Sequence, residues 1–229
     1  MIAIILVGGK GKRLQSEVGA LPKPMAPIGD KPFLEKLLFN LNKNGFKKVI
    51  LSTGYNSDVI KKYFSTKYKD INISYSHEET PKGTGGAIKQ ALNTLEHESN
   101  IFILNGDTFF DINFKQMNKW HTHNNFLISI ALKKMYKFDR YGCINLDKNN
   151  KVIQFNEKQY LDEGLINGGI YLTSSHILNA LPPRDIFSFE NDFLEKNNIM
   201  YDFGGYESDS FFIDIGIPED YKLAREILK

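Results

Sequence analysis

The sequence predicts a single doubly wound α/β domain, Rossmann-like, with a mixed, mainly parallel central sheet and helices on both faces. Three observations predict it. The chain has 229 residues, which suits one large domain whose core needs no disulfide or metal staple. Its first half alternates short β-rich runs with amphipathic helical stretches, the pattern of βαβ units. The opening run Met1-Ile2-Ala3-Ile4-Ile5-Leu6-Val7 is unbroken in its apolarity, as a strand covered on both faces must be.

Strands are predicted at 2–7, 48–53, 71–75 and 101–105. The stretch from Pro32 to Asn44 carries Phe33, Leu34, Leu37, Leu38 and Leu41 at helical spacing and stops at Gly45, a favoured helix end. Further helices are predicted from Asp58 to Phe64 and from Gly85 to Leu95, the latter opening from a glycine cluster expected to leave its amide donors free. Beyond Asp107 the pattern shifts to strands near 126–134, 141–146, 151–156 and 166–173, with helices near 175–181 and 190–197, so the sheet is expected to become mixed. A last strand at 210–215 precedes a helix from Pro218 to Leu228, where proline takes a first-turn position. No linker, low-complexity segment or repeat interrupts this order.

Composition narrows the function classes. With 41% hydrophobic and 24% charged residues the chain resembles an ordinary globular domain. Twenty-nine basic against 27 acidic side chains leave a formal charge of +2, too balanced for the field that nucleic-acid binding requires, so an anion would be bound locally. The first apolar run lacks a basic flank and ends at Gly8-Gly9, which reads as a strand rather than a signal segment. No run approaches a membrane span, and the one cysteine, Cys143, reads as a core thiol, so a soluble protein of the reducing cytoplasm is expected. A homodimer is compatible with the sequence.

The segment Leu6-Val7-Gly8-Gly9-Lys10-Gly11-Lys12-Arg13-Leu14, followed by Pro22-Lys23-Pro24-Met25, carries the most chemistry. A buried strand that runs into glycines and then cations lets backbone amides approach an anion while Arg13 and Lys23 supply charge. A tight turn with solvated lysines is the plainer alternative for the glycines alone. The dinucleotide fingerprint lacks its third glycine here, and the Walker spacing is absent. Two carboxylates, Asp107 after Asn105-Gly106 and Asp214 after Phe211-Phe212-Ile213, stand at strand ends, where open α/β sheets bind ligands. Such a pair of hard oxygen ligands suits Mg²⁺ bridging phosphates. Taken singly, either aspartate could equally serve a turn or a helix cap.

The chain resembles the sugar-1-phosphate nucleotidylyltransferases. The resemblance rests on the Gly8–Leu14 and Pro22–Met25 segments, then in order on Gly83-Thr84-Gly85-Gly86-Ala87, Asn105-Gly106-Asp107, Phe155-Asn156-Glu157-Lys158, Asn167-Gly168-Gly169-Ile170-Tyr171 and Phe212-Ile213-Asp214-Ile215-Gly216-Ile217-Pro218. Lys23 to Phe33 and Phe212 to Tyr221 are most similar to the heptose 1-phosphate guanylyltransferases, with mannose-1-phosphate enzymes near. The resemblance implies transfer of a nucleotidyl group from a nucleoside triphosphate to a sugar 1-phosphate, with Mg²⁺ as cofactor and Arg13, Lys23, Asp107 and Asp214 as the catalytic set. It implies a nucleotide site of Leu6, Gly8, Gly9, Lys10, Gly11, Arg13, Lys23, Glu78, Gly83, Thr84 and Asp107, and a sugar-phosphate site of Gly142, Glu157, Lys158, Asn167 and Gly168. Residues 1–110 would then bind mainly nucleotide and 111–229 mainly sugar phosphate. Rivals are a hexose-1-phosphate uridylyl- or thymidylyltransferase and a non-catalytic nucleotide-sugar-binding regulator.

The chemistry needs no general base, because a phosphate monoester with a second pKa of about 6 is already largely dianionic at neutral pH. The histidines are accordingly expected to be solvated or capping: His121 and His123 at a polar helix end, His77 and His97 alone. In Ser76-His77-Glu78-Glu79-Thr80-Pro81-Lys82-Gly83 a carboxylate, Glu78 first and Glu79 second, could accept the adjacent N1–H and N2–H₂ donors of guanine. Either could also be a solvated acidic turn.

Overall fold

The computed structural model describes residues 1–9, 11–95 and 100–228. Lys10 and His97, both singled out in the sequence, lie outside the described residues. Among the described residues, one path of a ten-stranded sheet runs Val152–Asn156, Cys143–Leu146, Leu161–Thr173, Ile101–Asn105, Ile2–Leu6, Lys48–Thr53, Ile71–His77, Lys67–Tyr68. Ile128–Phe138 branches from Leu161–Thr173 and pairs in turn with Phe203–Ser208. The four strands at the centre of the first half are parallel neighbours, and Leu161–Thr173 joins them antiparallel to Ile101–Asn105. The sheet is therefore mixed in the sense the sequence predicts.

Alternation along the central strand explains its continuous apolarity. Ala3 and Ile5 enter one core with the helices Phe33–Lys43, Ser57–Phe64, Phe114–Asn124 and Pro218–Ile227, whereas Ile4 enters the opposite core with the helix Gly83–Leu92 and the turns after Ser174. Both faces are covered, so every residue from Ala3 to Ile5 is fully buried. At about 25 cal/mol per Å² of apolar surface, removal of such side chains from water is the main stabilising contribution. Phe46, Phe102 and Phe114 close one core edge to face, with centroids 5.2–5.4 Å apart. Cys143 is buried and free, as expected of a core thiol, and among the described residues no helix is long and apolar enough to cross a membrane.

The differences from the predicted elements have local causes. The strand Phe203–Ser208 was not foreseen, because Gly204-Gly205 weakens strand propensity. There the missing side chains make room: a Cβ on Gly204 would fall inside the Phe126 ring, and one on Gly205 would meet Leu132 and Leu146 at 2.6 Å. The predicted strand at 210–215 shortens to Phe212–Asp214 and leaves the main sheet to pair with Thr108–Phe110. The helices expected near 175–181 and 190–197 are a 3-10 turn, Ser175–Asn179, and a wide π turn, Phe189–Leu194, that runs into Glu195–Asn197. His121 is not solvated. It is buried, its Nδ1 lies 2.7 Å from Ser129 Oγ, and burial lowers its pKa to about 4.

Gly204→Ala tests the glycine argument. Overpacking against Phe126 should cost about 1–3 kcal/mol, so the melting temperature followed by circular dichroism should fall by roughly 2–10 °C. An unchanged melting temperature would show that Phe126 moves aside without cost.

Candidate active site

The strands Ile2–Leu6 and Ile101–Asn105 are adjacent and parallel, with Leu6 opposite Asn105, and the strand order runs outward from this pair in both directions, to Lys48–Thr53 beside the first and to Leu161–Thr173 beside the second. Such a switch point opens a crevice at the carboxyl ends of the strands. A cavity of about 620 Å³ lies there, with Leu6, Ser52, His77 and Asn105 at the four strand ends, within the size range of small-molecule sites. Gly106 allows the last rung of this pair: its N–H donates to Leu6 O at 3.0 Å, and a Cβ would collide with that same carbonyl.

Leu6, Val7, Gly8, Gly9 and Gly11 line the cavity. A Cβ on Gly9 would meet nothing within 4 Å, so that backbone faces open space. Gly11 has φ +58°, and its backbone passes Lys23 so closely that an added Cβ would lie 3.0 Å from Lys23 Cβ. A 3-10 turn at Lys23–Met25, preceded by Pro22 in an extended conformation, sets Lys23 into the cavity wall. Arg13 sits exposed on the turn Lys12–Leu14 and is not part of the cavity lining.

Lys23 is buried, and its Nζ donates to Asp107 Oδ2 at 2.7 Å. The hydrogen bond from Ile215 N to Asp107 O, 2.9 Å, and the pairing of Asp214 with Thr108 bring the second carboxylate alongside. Asp214 Oδ1 accepts from Gly216 N at 2.6 Å. Burial, then the charge of Asp107, raises the Asp214 pKa to about 6. Two carboxylates thus share one ammonium in a partly buried site. That excess of negative charge and the hard oxygen donors fit a divalent cation. Among the described residues no third His, Cys, Asp or Glu joins a metal-holding group, which fits a cation that keeps water and phosphate oxygens as its other ligands.

On the opposite wall, Glu78 N donates to Thr53 O, and Glu78 Oε2 accepts from Lys82 N at 2.8 Å. Glu78 Oε1 lies beside Gly8, 3.2 Å from where a Cβ would stand. Glu78, Glu79, Gly83 and Thr84 all line the cavity. One amide of the glycine cluster, that of Gly85, is taken rather than left free. The helix begins at Gly83, Gly85 N donates to Phe187 O at 3.0 Å, and Phe187 N donates back to Lys82 O. Side chains on Gly85 and Gly86 would enter the space of Phe187 and Asp185. Gly85 and Gly86 thus make room for a segment of the second half.

The residues expected to bind sugar phosphate stand on the second half. Glu157 and Lys158 are exposed just after the strand Val152–Asn156. A Cβ on Gly142 would meet Asn156 O at 2.7 Å, which ties its loop to the same strand. Arg140, two residues earlier, pairs with Asp220 at 2.8 Å and lies over the Tyr141 ring. Asn167 is half-buried and donates to Tyr171 Oη at 2.8 Å. Gly168 is buried where any side chain would strike the Phe110 ring. None of these five lines the cavity, which is centred on the nucleotide residues. Lining residues outside the expected nucleotide site include Gly54, Tyr55, Asn105 and Glu190. The first three follow from the strand-end rule already applied to Asp107. Glu190 gave no local signal, since it reads as an ordinary residue in the first turn of a helix.

The raised pKa of Asp214 generates a stability prediction. Between its ordinary value near 3.8 and about 6, the folded protein holds a proton that the unfolded chain has released. Stability therefore falls as pH climbs through that window, and the penalty stands in full above it. Asn at 214 keeps an oxygen for Gly216 N and removes the charge. In EDTA, Asp214→Asn should be more stable than the parent at pH 8 by on the order of 2 kcal/mol, and the two should converge at pH 4. Equal urea midpoints at both pH values would overturn the assignment.

Comparison with known proteins agrees with this geometry. Residues 2–226 match the family described as Nucleotidyl transferase. The chain is 48% identical over 229 residues to the D-glycero-alpha-D-manno-heptose 1-phosphate guanylyltransferase of Aneurinibacillus thermoaerophilus, covering 100% of this chain and 99% of that one. It is 48% identical to the protein of the same name from Campylobacter jejuni over 96% of this chain and 97% of that one. HddC from Yersinia pseudotuberculosis, solved in complex with GMP-PN, superposes with a TM-score of 0.89 at 36% identity, covering 100% and 99% of the two chains. The chain belongs to the nucleotidyl transferase family.

Proposed function

We propose that the chain is a guanylyltransferase that condenses GTP with D-glycero-α-D-manno-heptose 1-phosphate to give a GDP-sugar and pyrophosphate. One observation carries the reading: Lys23, Asp107 and Glu78 line a single cavity at the switch point, with Asp214 held beside Asp107. The relatives that are 48% identical over nearly the whole chain carry that name. The free buried Cys143 supports a reducing, cytoplasmic setting.

In this reading the amides of the Gly8–Gly11 loop and the ammonium of Lys23 hold the triphosphate, and Arg13 reaches it from the exposed turn. Glu78 accepts the guanine N1–H and N2–H₂, an edge that uracil and thymine do not offer. Lys158 grips the sugar phosphate, Glu157 takes a sugar hydroxyl, and Asn167, Gly168 and Gly142 shape the acceptor pocket. Asp107 and Asp214 would hold Mg²⁺, which when bound neutralises charge on the phosphates. The sugar phosphate oxygen attacks the α-phosphorus in line, the bond to the β-phosphate oxygen breaks, and pyrophosphate leaves with that electron pair. Positioning and charge neutralisation provide the catalysis.

A pyrophosphate-release assay crossing GTP, ATP, UTP and dTTP with heptose and hexose 1-phosphates in Mg²⁺ tests the reading. GTP with the heptose phosphate should give the highest kcat/KM, and Glu78→Gln should weaken GTP use by about ten- to a hundredfold. Preference of the parent enzyme for UTP or dTTP would sink the guanylyl assignment.

The acceptor site has its own test. Lys158→Ala should raise KM for the sugar 1-phosphate at least ~10-fold more than KM for the triphosphate. Equal changes in both would place Lys158 outside the acceptor site.

A further inference from the structure

Glu190 belongs to none of the motifs that carry the resemblance, yet it joins them. It lines the cavity from the π turn Phe189–Leu194, and each of its carboxylate oxygens accepts one hydrogen bond. Tyr171 Oη donates to Oε1 at 3.0 Å and Thr84 Oγ1 to Oε2 at 2.9 Å. Both hydroxyls are committed in direction. Tyr171 Oη already accepts from Asn167 Nδ2 at 2.8 Å, and Thr84 Oγ1 already accepts from Phe189 N at 2.8 Å. The amide of Asn167 is itself fixed, because its Oδ1 accepts from Gly169 N at 2.9 Å. A continuous polar chain therefore runs from Asn167 on the second half to Thr84 on the nucleotide wall, and it closes only if residue 190 accepts twice.

That requirement is strict. Glutamine at 190 would present an N–H₂ group to one of two hydroxyls whose hydrogens already point at it. To recover the bond, that hydroxyl would have to swing its hydrogen away from residue 190 and lose the acceptor the carboxylate now gives it. Tyr171 is fully buried and outside the cavity lining, and its hydroxyl reaches the cavity wall through Glu190. The π turn is also anchored: Ser188 Oγ accepts from Asn191 N, and Ser188 N donates to Asp192 Oδ2 at 2.9 Å.

We propose that Glu190 is a positioning residue whose carboxylate fixes the nucleotide wall at Thr84 and the acceptor strand at Asn167 in one mutual geometry. That Asn167 faces the acceptor rests on the function proposed above; the linkage itself does not. The test is a mutant cycle of Tyr171→Phe and Thr84→Val in the parent and in Glu190→Gln. It is read as the Kd of a non-hydrolysable GTP analogue by calorimetry, alongside kcat, both KM values and melting temperature. Tyr171→Phe should weaken analogue binding about threefold to tenfold although its ring stays buried. Its effect and that of Thr84→Val should be non-additive by at least ~3-fold in the parent and additive in Glu190→Gln. Glu190→Gln itself should lower kcat at least ~10-fold with smaller changes in either KM.

Additive effects in the parent would overturn the proposal. So would variants that lose melting temperature alone while Kd, kcat and KM stay at parental values, since that is the outcome for a packing residue. If Glu190→Gln does not fold, the Tyr171→Phe and Thr84→Val cycle in the parent decides the same question. If no sugar 1-phosphate supports pyrophosphate release while the binding cycle is non-additive, the linkage stands and the proposed function falls.

Discussion

The hydrogen bond from Gly106 N to Leu6 O, 3.0 Å, is the last rung between two parallel strands whose chains then part. The site gathers around that rung. Gly8, Gly9 and Gly11 follow one strand to the cavity, and Asp107 follows the other with its carboxylate on Lys23. A side chain at 106 would collide with Leu6 O, so the rung, and with it the closeness of the glycine loop to the carboxylate, requires glycine. The central strand can reach this point because both its faces are buried, which leaves only its carboxyl end open.

Charge is distributed on the same local scale. A net formal charge of +2 over 229 residues gives no long-range field to gather a polyphosphate, so anion binding must come from few groups held in place. Lys23 is held by Asp107 and backed by Gly11. Asp214, buried beside Asp107, cannot ionise as readily as a surface aspartate. The second carboxylate is therefore a poor partner for a single ammonium and a good one for a divalent cation. In the function proposed above, catalytic need and folding stability pull in opposite directions at this residue, as they commonly do at sites built to hold charge.

The parts of the fold legible in the sequence are those set by local periodicity. Ile2–Leu6, Lys48–Thr53 and Ile101–Asn105 are apolar runs bounded by turn residues, and Phe33–Lys43 shows one apolar face. The parts not legible are set by partners far along the chain. Phe203–Ser208 is a strand because Ile128–Phe138 offers it an edge and Phe126 fills the space above Gly204. His121 is buried because Ser129, across the turn, gives its ring a partner. For the candidate site, Asp107 was readable because strand ends point at ligands, Lys23 because it is a cation that follows a glycine-rich loop, and Glu78 because it is a carboxylate shortly before Gly83. Glu190 was not, because its function is defined by Tyr171 and Thr84, 19 and 106 residues away.

Glycine shows most clearly why a motif and its physical cause can differ. Gly9 and Gly85 both stand in glycine-rich segments, the first read from sequence as part of an anion cradle and the second as a helix start with free amide donors. A Cβ on Gly9 would meet open space, whereas one on Gly85 would enter the Phe187 ring. The first glycine leaves the cavity open, and the second clears a path for the chain itself. Because the Phe187–Phe189 segment completes the hydrogen bonds of the turn at Lys82–Gly85, the nucleotide wall is not finished by the first half alone. It becomes whole only when residues about a hundred positions later pack on it, which places Glu190 where the two halves meet.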